Sequence, residues 1–179
     1  MKALTRIGAL LAALSVPVGA AAQTRATTQC LSDREGESVL LYLAPDLLAQ
    51  TNRICAPVLP TSAYLRRAGA TLGQRYAAES AQAWPAARSA IGKIAGPDVA
   101  PLLDSAFAAP AVASLVAPLI AAEITASDCP RLDRILSLMA PLPPRNVAGL
   151  AVAFLQLAGD RDRKAGRRPA LPICEAPAR

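Results

Sequence analysis

The stretch SDREGESVLLYLAPDLLAQTNRIC, residues 32–55, decides the fold class. It opens on Ser32-Asp33-Arg34-Glu35, the pattern of a capping box. The serine oxygen can accept from the backbone N–H of Glu35, and the glutamate can reach back to the serine N–H. Val39, Leu40, Leu43, Leu47, Leu48, Thr51 and Ile54 then recur at helical spacing. Pro45 interrupts them with nothing loop-like around it, so the spacing predicts a helical stretch to about Cys55 with a kink or a short break at Pro45, ended by Pro57 and Pro60. If the stretch is merely kinked, its ends lie roughly 34 Å apart at 1.5 Å per residue. A Cys30–Cys55 disulfide is then excluded, because bonded cysteines need Cα atoms within about 7 Å.

The rest of the chain extends this pattern. Thr61 or Ser62 is placed to cap a helix running to about Gln82, with Ala63, Leu65, Ala70, Leu72 and Tyr76 inward and Arg66, Arg67, Gln74, Arg75 and Glu79 outward. Gly69 and Gly73 mark either a close helix crossing or a weak stretch. Trp84-Pro85 begins a further helix, stopped by Gly96. Short segments follow over Asp98–Phe107 and from Pro110 to about Thr125. A helix from Pro130 to Ala140 is expected under a cap at Asp128 or Cys129. The last helix, about Arg145 to Ala158, is apolar nearly all round and is expected at the centre of the fold, with Gly159 as its stop. No alternating strand pattern occurs. The expectation is all-α: an irregular bundle of six to seven helices with proline-marked turns and two disulfides. One helical domain would span 23–158, followed by a basic, irregular tail over 159–179.

Upstream, Lys2 and Arg6 precede the apolar run Ile7–Val16, and Ala20-Ala21-Ala22 fits a cleavage site. Residues 1–22 therefore read as a signal peptide, too short in its apolar part to span a bilayer. The 19 basic residues fall to 17 without Lys2 and Arg6; against 13 acidic ones the processed chain is +4. Most of this lies in the tail, where Arg161, Arg163, Lys164, Arg167, Arg168 and Arg179 face only Asp160, Asp162 and Glu175.

The four cysteines, Cys30, Cys55, Cys129 and Cys174, read as two disulfides in an exported chain. Alternating helix directions bring Cys55 to Cys129 and Cys30 to Cys174. The pairing Cys30–Cys129 with Cys55–Cys174 stays open on this count. No C-x-x-C pair supports a redox site or a zinc knuckle.

The chain has no histidine, which removes Ser-His-Asp and Cys-His catalysis and histidine-ligated zinc. Ser89 and Lys93 share a helix face but lack the Ser-x-x-Lys spacing, and read as a solvated face. Asp33, Glu35 and Glu37 are accounted for by a helix start. No catalytic residue, metal site or cofactor is expected. The exposed arginines Arg66, Arg67 and Arg75 are candidates for an acidic partner or simply solvated. Arg161, Arg163, Lys164, Arg167 and Arg168 are candidates for an anionic lipid or cell-wall surface. Nucleic acid is not expected, since the chain is poor in aromatics and Trp84, Tyr64 and Tyr76, half of them, read as packing residues. Ala106–Ala122 carries no charge and is expected as a buried helix rather than a membrane or interfacial one; the processed chain is not expected to be integral to a membrane.

The signal segment, Cys-Ala-Pro-Val-Leu-Pro from Cys55, Pro-Leu-Pro-Pro from Pro141 and Leu-Pro-Ile-Cys ending at Cys174 together resemble a loose group of uncharacterised exported, alanine-rich helical proteins of high-GC proteobacteria. The resemblance implies a periplasmic location and carries no activity. The expected function is a periplasmic or secreted, non-catalytic helical protein with a structural or partner-binding role in the cell envelope. The alternatives are a carrier holding an apolar ligand or lipid between helices, and an enzyme whose site forms only in the fold.

Overall fold

The computed structural model describes residues 29–169 and 171–175. The expected signal segment 1–22 lies outside them, as does Arg179. Five α-helices follow in order: α1 (Asp33–Cys55), α2 (Tyr64–Ala95), α3 (Ala108–Ala121), α4 (Cys129–Met139) and α5 (Pro144–Lys164). Short 3-10 turns occupy Ala100–Asp104 and Ala126–Asp128. The expected count of six to seven is therefore corrected to five, and no strand occurs among the described residues.

α1 is the axis of the bundle. Its capping box forms: Ser32 Oγ accepts from Glu35 N at 3.4 Å, and Glu35 Oε2 accepts from Ser32 N at 2.7 Å. The helix runs unbroken through Pro45, and α2, α3 and α5 all pack on it. α5, expected at the centre, lies on the outside instead: Leu150, Phe154 and Leu157 are 44%, 62% and 54% exposed. Its apolar residues divide between an inner face (Val147, Ala148, Val152) and an outer one.

α2 accounts for one of the missing helices, and the 3-10 turn Ala100–Asp104, which stands where a helical segment is expected over Asp98–Phe107, for another. The break expected at Trp84-Pro85 does not occur. A proline inside a helix loses one hydrogen bond and crowds the carbonyl four residues back. Here Pro85 faces solvent, while Ala83, Ala87 and Ala90 beside it are buried against the core. Trp84 packs on Tyr42 with ring centroids 4.6 Å apart. Tertiary packing on both sides of the proline outweighs its local cost. The antiparallel register with α1 runs from Asn52 beside Gly69, through Ser80 Oγ donating to Tyr42 O at 2.8 Å, to Lys93 Nζ on Glu35 Oε2 at 2.9 Å. A Cβ at Gly69 would meet only ordinary contacts and one at Gly73 none, so the glycine pair is not a demanding crossing.

Two helix ends also depart from expectation. Neither Thr61 nor Ser62 caps α2; its N-cap is Ala63, which has no side chain to do so. Asp133 of α4 does it from a distance of 68 residues, accepting from Leu65 N at 2.7 Å and Tyr64 N at 3.2 Å. Gly159 does not stop α5 but lies buried inside it, under Pro169. The stop is Gly166, at φ +70°. Arg167 N donates to Asp162 O and Gly166 N to Arg163 O, the Schellman pattern. The expected irregular tail thus begins only after Lys164.

Beyond α5 the chain docks beside the segment that precedes α1. Leu31 N donates to Pro172 O at 2.7 Å, and Cys174 N donates to Leu31 O at 2.8 Å. Leu31 and Ile173 are buried between them. Gly36 makes room for this approach: a Cβ there would come within 2.9 Å of Ile173 Cδ1, and the end of the isoleucine side chain would have to shift. The structure pairs Cys30 with Cys174, with Cα atoms 4.9 Å apart, and Cys55 with Cys129, at 5.2 Å. Two cysteine pairs at bonding distance fit an oxidising environment.

Candidate functional site

The site candidate arises from how the second half of the chain leans on the first. α4 packs on α2, whereas α5 packs chiefly on α1, so the two splay apart after the turn Ala140–Pro143. Arg75 of α2 holds that turn by donating to Ala140 O and Leu142 O. Arg145 at the start of α5 pairs with Glu79 at 3.2 Å. Between the splayed helices a cavity of about 240 Å³ opens over α1. Leu40, Ala44, Leu47 and Leu48 of α1, Leu132, Leu136 and Met139 of α4, and Val147, Ala148 and Ala151 of α5 line it. Thr51 and Tyr76 bring the only side-chain polar atoms, and Thr51 Oγ1 already donates to Leu47 O at 2.8 Å.

Ile135, Met139 and Ala151 are shared with a wider hollow of about 690 Å³ that reaches Leu138, Leu150, Phe154, Leu155 and Ala158. The two form one apolar trough, rimmed by exposed side chains: Leu138 is 68% and Phe154 62% exposed. Scattered surface leucines need no explanation, but a contiguous patch of this kind marks an interaction surface in soluble proteins.

α3 has a second apolar face. It buries Ala108, Ala113, Ala117 and Ala121 and exposes Leu115, Leu119 and Ile120. The expected buried helix over Ala106–Ala122 is therefore buried only along its small residues. Among the described residues, no single helix is long and apolar enough to cross a membrane.

The residues singled out from sequence separate into several roles. Lys93 does not activate Ser89; its ammonium sits on both Glu35 oxygens, at 2.9 and 3.1 Å. Glu35 is held below the ordinary carboxyl value chiefly by Lys93, and then by the Ser32 backbone N–H. Asp33 accepts from Gln156 Nε2 at 2.7 Å, so this acidic cluster joins α1 to α2 and α5. Arg66 and Arg67 are spent on backbone carbonyls of the α1–α2 connection, as Arg75 is on the α4–α5 turn. In the basic tail, Arg163 pairs with Asp160 and Glu175, and Arg167 with Asp162. Arg161, Lys164 and Arg168 are exposed, with no acidic partner among the described residues. No group of three or more potential metal ligands occurs among the described residues.

Asp133 and the Leu138–Phe154 face escaped the sequence reading. The face did carry a signal: the stretch from Val147 to Ala158 of α5 is apolar nearly all round, and an outward placement of such a stretch leaves one side uncovered. No protein-family model, curated protein or solved structure matches the chain.

Proposed function

We propose that this protein is an exported, periplasmic or secreted helical module without a catalytic role, which docks on another component of the cell envelope through the α4–α5 face. The observation that carries the reading is the open apolar trough between two splayed helices. Its exposed rim would cost free energy in water unless something covers it. Export is supported by the positive, apolar and small-residue pattern of residues 1–22 and by four cysteines that pair at bonding distance. The resemblance to exported alanine-rich proteins supports the same compartment.

Fractionation of the producing cell tests this. The wild-type protein should sediment with the envelope, while a Leu138→Ser, Phe154→Ser variant with an unchanged melting temperature should move to the soluble fraction. Identical partitioning of the two would overturn the reading.

The cavity over α1 favours one second reading, an apolar-ligand carrier. At about 240 Å³ it falls just below the usual ligand-pocket range of roughly 300–1,000 Å³. A stoichiometric acyl ligand in native mass spectra of the purified protein would shift the assignment to that reading.

A further inference from the structure

The outer face of α5 changes character along its length without changing direction. Leu150, Phe154, Leu157, Arg161 and Lys164 follow one another at spacings of four, three, four and three residues. Within one unbroken helix this places all five on one stripe. The first three are apolar and about half or more exposed, and the last two are exposed cations. Asp160 and Asp162 lie off the stripe and are paired to Arg163 and Arg167, so they do not neutralise it. α4 repeats the arrangement: Arg131 and Arg134 are exposed one turn before Ile135 and Leu138. Exposed cations thus accompany the exposed apolar side chains along both helices.

We propose that the component this face docks on is a lipid surface bearing anionic headgroups. Leu138, Leu150, Phe154 and Leu157 would enter the acyl boundary, and Arg161 and Lys164 would rest on the phosphates. This deepens the docking reading above and rests on it. The charge and the geometry favour lipid over a protein partner. An amphipathic helix lying in an interface needs an apolar stripe and flanking cations, and its long basic side chains can extend to the headgroups while their stems stay apolar. The trough supplies almost no polar atoms that would read the shape of a particular protein, whereas a bilayer asks only for depth and charge.

Vesicle flotation of the processed, disulfide-bonded protein tests the proposal. Vesicles of phosphatidylcholine with 40% phosphatidylglycerol should carry the protein, and vesicles of phosphatidylcholine alone should carry at least about tenfold less. Phe154→Ala with Leu157→Ala should lower partition at least about tenfold on the anionic vesicles. Arg161→Gln with Lys164→Gln should lower it by about fivefold per charge, and 1 M salt should do the same to the wild type. All four side chains are exposed, and unchanged thermal melts will confirm intact folds.

Wild-type protein that ignores anionic vesicles, or binding that neither pair of substitutions alters, would overturn the proposal. A protein that ignores vesicles yet sediments with the envelope in a Phe154-dependent way would overturn the lipid assignment alone and leave the docking function standing. A Phe154-dependent dimer in sedimentation equilibrium, without vesicle binding, would overturn it in favour of a second copy of the chain. Loss of both vesicle binding and envelope sedimentation would end both readings.

Discussion

α2 and α5 both lie along α1, and they finish in opposite ways. α2 turns Ala83, Ala87 and Ala90 to the core and leaves Arg66, Arg67 and Arg75 outside, where each donates to a backbone carbonyl. Its two ends are tied, by Asp133 at Leu65 and by Glu35 at Lys93. α5 turns Val147, Ala148 and Val152 inward but keeps Leu150, Phe154 and Leu157 outside. The difference teaches that apolar content does not measure burial in this chain. Small residues make the close contacts. Several of the largest apolar side chains are kept for a surface.

Four experiments would break or sharpen that comparison. The largest effect belongs to the sulfurs that hold the second half of the chain to the first. Replacing Cys55 and Cys129 by alanine releases a link across 74 residues, and Cys30 with Cys174 one across 144. Each should cost about 2–5 kcal/mol in denaturant unfolding. A double variant as stable as the wild type would show that helix packing alone holds α4 and α5 in place.

Next comes a pair of substitutions two residues apart on α5. Val152 is buried beside Gly36, and truncating it to alanine should cost about 1.5–3 kcal/mol. Phe154→Ala removes a larger side chain from the exposed face and should change stability by no more than about 0.5 kcal/mol. Equal costs in chemical denaturation would erase the division of α5 into two faces.

Asp133→Ala should cost about 1 kcal/mol, the usual worth of a helix cap, although Asp133 is 68 residues from the amide it serves. A Thr61→Ala, Ser62→Ala variant should be close to neutral when both variants are compared with the wild type in thermal melts. The reverse ranking would return the α2 cap to the local sequence.

The smallest effect concerns pH. Glu35 carries a carboxyl depressed below 4.5 by Lys93 and the Ser32 N–H. Its stabilising share is therefore complete above about pH 4.5, the value in the unfolded chain, and is lost as pH falls through the lower folded value. Thermal melts between pH 3 and 6 should show a shallower acid-side decline in Glu35→Gln than in the wild type. Parallel curves would remove the ion pair as a link between α1 and α2.

Much of the first half was legible in the sequence because its signals are local. The capping box at Ser32 sits three residues from its partner, and the α1 periodicity survives Pro45. Gly96, which ends α2, is read directly beside the helix it closes. The misreadings share one cause, which is tertiary override of a local cue. Pro85 reads as a helix start, yet Trp84 on Tyr42 and the buried alanines carry α2 across it. Gly159 reads as a stop, while the true stop was present seven residues later as Gly166. Of the site, the cations at Arg161 and Lys164 were legible as candidates. Their alignment with Phe154 was not, because it required α5 to continue past Gly159.

The sequence by itself determined a helical fold class, a first helical stretch from Ser32 to about Cys55, and the lack of histidine chemistry. These follow from spacings of a few residues or from composition, and they hold whatever the helices pack against. Only the tertiary structure decided which helix is central, which carboxylate caps α2, and which apolar face stays open. Each of those depends on groups far apart in the chain meeting, and on α4 and α5 leaning on different neighbours. An apolar side chain has the same preference for burial on either face of a helix, so only the packing arrangement settles which face is covered.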